Sequence, residues 1–241
     1  MSGFAHQPFL WQETLYDPYF SDVLFLSGFE GANESNTITD ESSYAGSFTS
    51  YDSGTLPNRS YISTASSKFG SSAFETRNSA AAGFSMTGTR FARTNAQIMV
   101  YELWVYTAVR GAYTETPRVL YILDSLGNAV FRLSAYLTSN EWRFKPNVDF
   151  ESSFNHSPAS GNYTFLQITV TAANTIEIRM DGTLKLTRTG ISQWTGPATV
   201  YVLGIGGGGS AQPCQTFVDE MRITKDHLRA YSVPTARFPR F

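Results

Sequence analysis

Apolar and polar residues alternate along several stretches of the chain, a pattern typical of half-buried β-strands. In one stretch, Leu166, Ile168 and Val170 point to one face while the residues between them are polar. Only Lys225–Tyr231 could form a turn of helix, because no longer window repeats its apolar residues with a helical period. Many short strands predict an all-β protein, either a β-sandwich, a jelly roll or a barrel. We predict strands at Asp22–Ser27, Ala96–Tyr106, Arg118–Leu123, Asn128–Tyr136, Glu141–Lys145, Tyr163–Thr171, Asn174–Met180, Ala198–Ile205 and Gln215–Ile223.

The residues Asp181-Gly182-Thr183 lie between two predicted strands and favour a hairpin. A two-residue turn at Asp181-Gly182 would mix apolar and charged side chains on both faces. A three-residue connection places Met180 opposite Leu184. It also places Ile178 opposite Leu186, so that apolar side chains share one face. Because a slip of one residue inverts a strand face, we predict the three-residue loop, with its glycine at positive φ.

The composition is that of a β-rich globular domain and offers few groups for metal or cofactor chemistry. Of 241 residues, 41% are hydrophobic and 15% aromatic, while only 16% are charged, against about a quarter in ordinary soluble domains. A chain of this size buries a large core, and its one cysteine, Cys214, excludes an internal disulfide. The three histidines lie far apart in sequence, so we expect neither a metal site nor a cofactor.

Charge is divided unevenly along the chain. The first 58 residues contain eight acidic residues and no Lys or Arg, so a net charge of −8 is followed by +6 in the remainder. Acidic and basic strands that are neighbours in one domain would explain this division, and so would complementary subunits of an assembly. The basic residues are scattered, which argues against nucleic acid binding. No apolar run approaches about 18 residues and residues 1–20 lack Lys and Arg, so we expect no membrane span and no secretion signal.

The segment Gly204–Gly209 matches the pattern G-x-G-x-x-G of dinucleotide-binding loops. In such sites the last glycine opens a helix whose N-terminus holds the pyrophosphate. Here Ser-Ala-Gln-Pro-Cys follows, and then another predicted strand. We therefore predict a tightly turned or mobile loop and no nucleotide site.

Glycosidase chemistry needs two carboxylates about 5–10 Å apart, and strands are one place to carry them. The pattern E-x-D-x-E, which would supply the shorter separation on one strand face, is absent. Glu102 and Trp104 share a strand face, and they form the best single pair of a sugar-facing acid and a stacking ring. The alternative is that Glu102 is one exposed or capped carboxylate. We expect no enzymatic activity.

Asp219 lies in a predicted strand on the same face as Phe217, Met221 and Ile223. A carboxylate among apolar side chains must be hydrogen-bonded or bound to a ligand. We favour a structural role, in which Asp219 accepts hydrogen bonds from the backbone N–H groups of a loop. Calcium binding is the less favoured alternative.

Six motifs follow one another along the chain: Asp22–Gly31, Asp40–Ser43, Ala65–Phe74, Tyr101–Val105, Thr175–Gly182 and Phe217–Lys225. Their order and residues resemble those of the laminin-G-like, concanavalin A-like jelly-roll modules that recur in bacteriophage virion proteins. The resemblance extends from about residue 18 to residue 238, and Phe217–Lys225 is its most specific part. It implies a two-sheet antiparallel β-sandwich in residues 21–232, with residues 1–20 as an extended N-terminal arm and 233–241 as a C-terminal tail.

Members of such a family bind glycans, bind proteins or build virions, and the fold does not choose among these roles. Our leading hypothesis is a non-enzymatic protein of the virion surface, made in the host cytoplasm, that decorates a capsid or belongs to a tail appendage. The alternative is a carbohydrate-binding module that contacts host-surface glycans. A glycoside hydrolase is the third hypothesis, and the missing carboxylate pair argues against it.

The predicted arm is rich in large apolar side chains that would be a liability in water unless something covered them. We predict that it binds other virion proteins, with its acidic residues facing a basic partner, or that it serves a homo-oligomer. The alternative is that the arm folds back over the edge of its own sandwich. The candidate anchors are Phe4, Phe9, Trp11, Tyr16 and Tyr19.

Overall fold

The strands of the protein form two antiparallel sheets that pack face to face, which confirms the predicted β-sandwich. The computed structural model describes residues 16–52, 60–76, 82–108, 118–136, 141–146, 151–156, 162–191, 198–202 and 215–241. Its strands are β1 (Val23–Ser27), β2 (Thr37–Asp40), β3 (Gly46–Asp52), β4 (Tyr61–Ser63), β5 (Ala73–Thr76), β6 (Ala82–Gly88), β7 (Met99–Ala108), β8 (Arg118–Leu123), β9 (Ala129–Tyr136), β10 (Glu141–Pro146), β11 (Ser152–Asn155), β12 (Thr164–Val170), β13 (Ile176–Met180), β14 (Thr183–Arg188), β15 (Ala198–Val202) and β16 (Gln215–Lys225).

The first sheet has the strand order β14-β13-β12-β7-β16-β5-β4, and β1 also pairs with β16. The second sheet has the order β11-β10-β9-β8-β15-β6-β3-β2. Two short 3-10 helices, Phe20–Asp22 and Thr89–Phe91, are the helical elements of the residues described. Neither is long or apolar enough to cross a membrane. The predicted helical turn at Lys225–Tyr231 is absent, because β16 runs to Lys225 and the chain after it is irregular.

Alternating apolar side chains place the main core between the two sheets, as the sequence pattern predicts. In β13, Ile176, Ile178 and Met180 are buried while the residues between them are partly exposed. Facing side chains from both sheets fill the space, and the largest fully buried ones include Trp142, Tyr101, Phe25, Phe84 and Phe131. Their burial supplies the main driving force for folding.

The β13–β14 hairpin keeps the predicted pairing of Ile178 with Leu186 but not the predicted loop. Asp181 and Gly182 form a two-residue turn, with φ values of 47° and 76°, and Met180 pairs with Thr183. The positive φ of Gly182 is confirmed, whereas the three-residue loop is wrong. A register shift after Ile178 supplies the extra residue instead, so Leu186 still pairs with Ile178 and packs against the core, whereas Leu184 is 44% exposed.

A second bulge interrupts β16 at Glu220, which has a φ of 46°. Val218 faces the main core before the bulge, and Met221 and Ile223 face it after the bulge. Asp219 therefore does not share a face with Met221 and Ile223, and that prediction is wrong. The inserted residue shifts the side-chain phase by one, so both halves of the strand contribute to the same core.

The residues after β16 cover the outer face of the first sheet. Phe238 packs there in a second apolar cluster, whose other buried members are Val23, Leu26, Trp104 and Phe165. Both ends of the described chain lie on this face, because the Asp17 N–H donates a hydrogen bond to the Phe241 carbonyl over 2.9 Å. We call residues 226–241 the C-terminal strap.

Candidate functional site

Asp219 holds a loop in place, which confirms the structural role predicted for it. Its Oδ2 accepts hydrogen bonds from the N–H groups of Lys68 and Phe69 over 2.7 and 2.8 Å, and its Oδ1 accepts one from the Glu220 N–H. Burial raises the pKa of Asp219 from 3.8 to about 7, and the three N–H donors oppose that rise. In the described part of the chain, no three His, Cys, Asp or Glu side chains are arranged to hold a metal ion.

Glu102 and Trp104 lie beneath the strap and do not face solvent. Glu102 is 2% exposed and binds Arg222 over 2.7 Å, while Trp104 is 4% exposed and packs between Phe69 and Phe165. The Nζ atom of Lys68 lies 4.2 Å from the centre of the Trp104 ring. No ring face is left open for a stacked sugar, which argues against the glycan-facing role that the strand pattern suggested.

Of the predicted arm, residues 16–20 fall within the described chain, and they lie on their own domain. Asp17 is buried and accepts hydrogen bonds from Arg222 and Arg229 over 3.2 and 2.7 Å. Burial alone would raise the pKa of Asp17, but these arginines and the Tyr19 N–H hold it below its usual value. The charge of Asp17 is thus balanced within the chain and is not presented to a partner.

The two aromatic anchors of this segment differ in their contacts. The Tyr19 ring stacks on His227, with their centres 4.1 Å apart, and Tyr16 is 71% exposed. The other three predicted anchors, Phe4, Phe9 and Trp11, lie outside the described residues, as does the loop Gly204–Gly209.

Glu220 fastens the strap to β16. Its carboxylate is buried and accepts hydrogen bonds from Arg237 over 2.6 Å, from Arg240 over 2.8 and 3.0 Å, and from the Phe238 N–H over 3.1 Å. The positive φ of Glu220 turns this side chain away from the core and towards the strap. This set of contacts is structural, because Glu220 is buried and donors of the strap use both of its oxygens.

An open groove of about 470 Å³ lies in the second sheet, where β3 and β6 separate. The two strands pair only from Ser50 to Asp52 of β3, while residues 46–49 of β3 pair with β2 on the other side. Residues 84–88 of β6 pair with β15 on the opposite side, and those after Phe84 have no partner in β3. Gly46 and Gly88 line opposite sides of the gap, and a Cβ added to either would meet nothing within 4 Å.

Arg90 lies in this groove among three aromatic rings. Its guanidinium carbon is 5.0 Å from the ring centre of Tyr44, 5.3 Å from that of Phe48 and 4.7 Å from that of Phe91. One of its N–H groups donates to Asp40 over 2.9 Å. Tyr44 is 51% exposed, so part of its ring is open to solvent at the groove.

Asp40 holds Arg90 from below. The side chain of Asp40 is inaccessible to solvent, and its other oxygen accepts hydrogen bonds from the Leu26 and Ser42 N–H groups over 3.2 and 3.0 Å. The bond from Ser42 forms a turn within Asp40–Ser43, one of the six motifs of the sequence. We call the site formed by Tyr44, Gly46, Gly88, Arg90 and their neighbours the Arg90 groove.

The Arg90 groove combines the groups that bind sugars: an exposed ring for stacking, hydroxyl groups, accessible backbone and a hydrogen-bond donor of fixed orientation. Its hydroxyl side chains belong to Ser47, Thr87 and Thr89. Sequence reasoning did not select these residues, because the separation of β3 from β6 brings together parts of the chain about 40 residues apart. The one signal in the sequence was the motif Asp40–Ser43, which does not indicate that Asp40 pairs with Arg90.

Comparison with known proteins shows the fold and not a family. No family model and no curated protein matches the chain. Among solved structures, the binding domain of Paraclostridial Mosquitocidal Protein 1 is similar over 88% of this chain and 50% of its own, with 12% identity and a TM-score of 0.59. The binding domain of botulinum neurotoxin DC, in complex with rat synaptotagmin II, matches 86% of this chain and 48% of its own, with 13% identity and a TM-score of 0.57.

A third structure is the botulinum neurotoxin serotype D ligand binding domain in complex with N-acetylneuraminic acid. It matches 88% of this chain and 49% of its own, with 11% identity and a TM-score of 0.59. The chain thus spans about half the length of each of these neighbours. At these sequence identities the structural similarity shows the fold of this chain and nothing about its ligand. Any ligand must be inferred from the residues of the chain itself.

Proposed function

We propose that the protein is a non-enzymatic carbohydrate-binding module and that it binds saccharide in the Arg90 groove. The observation that carries this proposal is the half-exposed ring of Tyr44 beside the hydroxyl and glycine residues of the groove. Neighbours of the same fold support it. One is in complex with N-acetylneuraminic acid, and the cell entry of another, botulinum neurotoxin type C, is dependent upon interaction with two ganglioside molecules.

Each part of the groove has a task in this proposal. The Tyr44 ring stacks on the apolar face of a pyranose, and the hydroxyl groups of Ser47, Thr87 and Thr89 exchange hydrogen bonds with those of the sugar. Gly46 and Gly88 carry no side chain, so the sugar can approach the backbone closely. The Thr87 hydroxyl already donates to that of Thr199 over 3.2 Å, which orients it for a further contact.

The test is a screen of immobilised glycans, followed by titration of the best ligands with the wild-type chain and Tyr44→Ala. Loss of one stacking ring is expected to weaken binding about tenfold, which corresponds to about 1.4 kcal/mol. Tyr16→Ala is the matched control, since Tyr16 is also exposed but lies on the face of the first sheet that the strap covers. Equal binding by Tyr44→Ala and wild type would contradict the assignment of the site.

A second proposal concerns where the module acts: on the surface of a phage virion, as a capsid decoration or a part of a tail appendage, after synthesis in the host cytoplasm. Its support is the ordered set of motifs from Asp22–Gly31 to Phe217–Lys225. Phe4, Phe9 and Trp11 would anchor it to other virion proteins or to further copies of the chain.

Quantitative mass spectrometry of purified particles tests this second proposal. Hundreds of copies per particle are expected for capsid decoration and a handful for a tail part. Absence of the chain from particles would contradict it without affecting the proposed binding of carbohydrate.

A further inference from the structure

Arg90 is the charged residue among those that line the groove, and no carboxylate lines it within the described chain. The remaining lining residues are Tyr44, Ala45, Gly46, Ser47, Phe48, Thr87, Gly88 and Thr89. Asp40 lies underneath, with its side chain closed to solvent, whereas that of Arg90 is 18% exposed. A ligand in the groove therefore meets the guanidinium and not the carboxylate behind it.

The guanidinium is fixed before any ligand arrives. The rings of Tyr44, Phe48 and Phe91 surround it, and Asp40 accepts one of its five N–H groups. No further hydrogen bond of this guanidinium occurs among the residues that the structure describes. A planar group with donors left over and little rotational freedom to lose is suited to two parallel hydrogen bonds with a carboxylate.

Asp40 does not mask Arg90 at the groove, because its carboxylate lies behind the guanidinium and is closed to solvent. Two backbone N–H groups, those of Leu26 and Ser42, donate to its other oxygen and stabilise the buried negative charge together with Arg90. The Arg90–Asp40 pair thus behaves as an oriented dipole with its positive end at the groove. A neutral sugar would use only its hydrogen bonds, whereas an anionic sugar would also gain from this charge.

From these contacts we infer that the Arg90 groove selects acidic saccharides, with the ligand carboxylate on the Arg90 guanidinium and its ring on Tyr44. This inference rests on the proposed function, since it names the class of sugar for the same site. The carboxylate could belong to a uronic acid or to a sialic acid, because both offer the same two oxygens to the guanidinium.

The test compares each acid with its neutral counterpart on the full chain, by calorimetry and by NMR. The probes are methyl glucuronide with methyl glucoside, methyl galacturonide with methyl galactoside, and N-acetylneuraminic acid with its carboxamide. We expect one acid of the set to bind about tenfold more tightly than its neutral partner, the gain typical of a charge-assisted pair of hydrogen bonds. This comparison needs no variant and so does not depend on how a substitution folds.

Variants then assign the preference to Arg90. Arg90→Gln is expected to weaken binding of the acid about tenfold more than binding of its neutral counterpart, so that the preference is lost, and Arg90→Lys is expected to retain only part of the preference because an ammonium lacks the planar fork. Arg132→Gln is the control, since Arg132 lies in the same sheet outside the groove and pairs with Glu151. Tyr44→Ala is expected to weaken acid and neutral ligand equally.

Two outcomes are distinguishable. Equal affinity of the wild-type chain for all acid and neutral pairs, or a preference that survives in Arg90→Gln, would overturn the selection of acids while leaving the carbohydrate-binding proposal in place. Failure of every sugar to bind, with no change in the NMR signals of the Tyr44 ring, would overturn both.

Discussion

Replacing Glu220 by Gln is expected to loosen the strap and destabilise the whole domain. The change keeps the shape of the side chain but removes its charge and one acceptor oxygen. The new NH₂ group faces the guanidinium groups of Arg237 and Arg240, which can only donate hydrogen bonds. The Phe238 N–H competes for the one oxygen that remains.

The magnitude follows from the burial of the three partners. Breaking a fully buried ion pair costs about 3–5 kcal/mol, since it leaves a charge without a partner. Glu220 is 1% exposed at its side chain, but Arg237 and Arg240 are 38% and 22% exposed and can regain water. We therefore expect a loss of about 2–3 kcal/mol, a large part of the 5–15 kcal/mol that stabilises an ordinary domain.

The assay is equilibrium unfolding in urea, combined with limited trypsin digestion followed by mass spectrometry. Trypsin cleaves after Lys225 and Arg229, so a loosened strap should be cut sooner under native conditions. Glu177→Gln is the matched control, because Glu177 pairs with Arg179 over 3.3 Å at a more exposed position. Pairs of that kind contribute about 0–1 kcal/mol.

The reasoning is refuted if Glu220→Gln unfolds within about 0.5 kcal/mol of the Glu177→Gln control, a margin typical of a surface change. It is also refuted if the variant loses stability while the strap resists trypsin as well as in the wild type. In the first case the pairs with Arg237 and Arg240 would contribute nothing net. In the second, Glu220 would act through the bulge of β16 and not through the strap.

Asp219→Asn should change the pH dependence of unfolding. The pKa of Asp219 is about 7 in the folded state and 3.8 in the unfolded state. Its contribution to the free energy of unfolding is therefore largest below about pH 4 and is lost as the pH rises to about 7. This decline, up to about 4 kcal/mol, should be absent from urea unfolding of the variant. Gly182→Ala should cost about 1–2 kcal/mol, because its φ is 76° and the new Cβ would lie 3.1 Å from the Tyr231 carbonyl oxygen. Gly127→Ala, at a φ of 80° with nothing within 4 Å, separates the two causes, and an equal loss there would contradict the close approach.

The strands themselves were largely predictable, because alternation in stretches such as Asn174–Met180 directly reports a buried face. Predictions that assumed strict alternation failed where a bulge lies. The extra residue near Leu184 allows a two-residue turn, and Glu220 reverses the phase within β16. The sequence around each bulge does not mark its position. At Glu220, the contacts that stabilise the positive φ come from Arg237 and Arg240, which lie outside the strand.

The site was less predictable than the fold. Glu102 and Trp104 lie on the outer face of their sheet, but the strap covers that face. Alternation along a strand identifies a face and cannot identify what packs on it. Arg90 and Tyr44 meet because two strands separate, which is a property of sheet pairing and not of either segment alone.

The hydrogen bond between Asp17 and Phe241 has a practical consequence for displaying the module. Because both residues lie on the outer face of the first sheet, a tether attached directly at Asp17 and one attached at Phe241 would start from the same place on the sandwich. The Arg90 groove belongs to the other sheet. A tether at either residue would attach the module through the face that the strap covers. A particle or a sensor surface that displays the module in this way would leave the Arg90 groove accessible. A short linker between these two positions would likewise permit a circular permutant, with new ends opened in a distant loop.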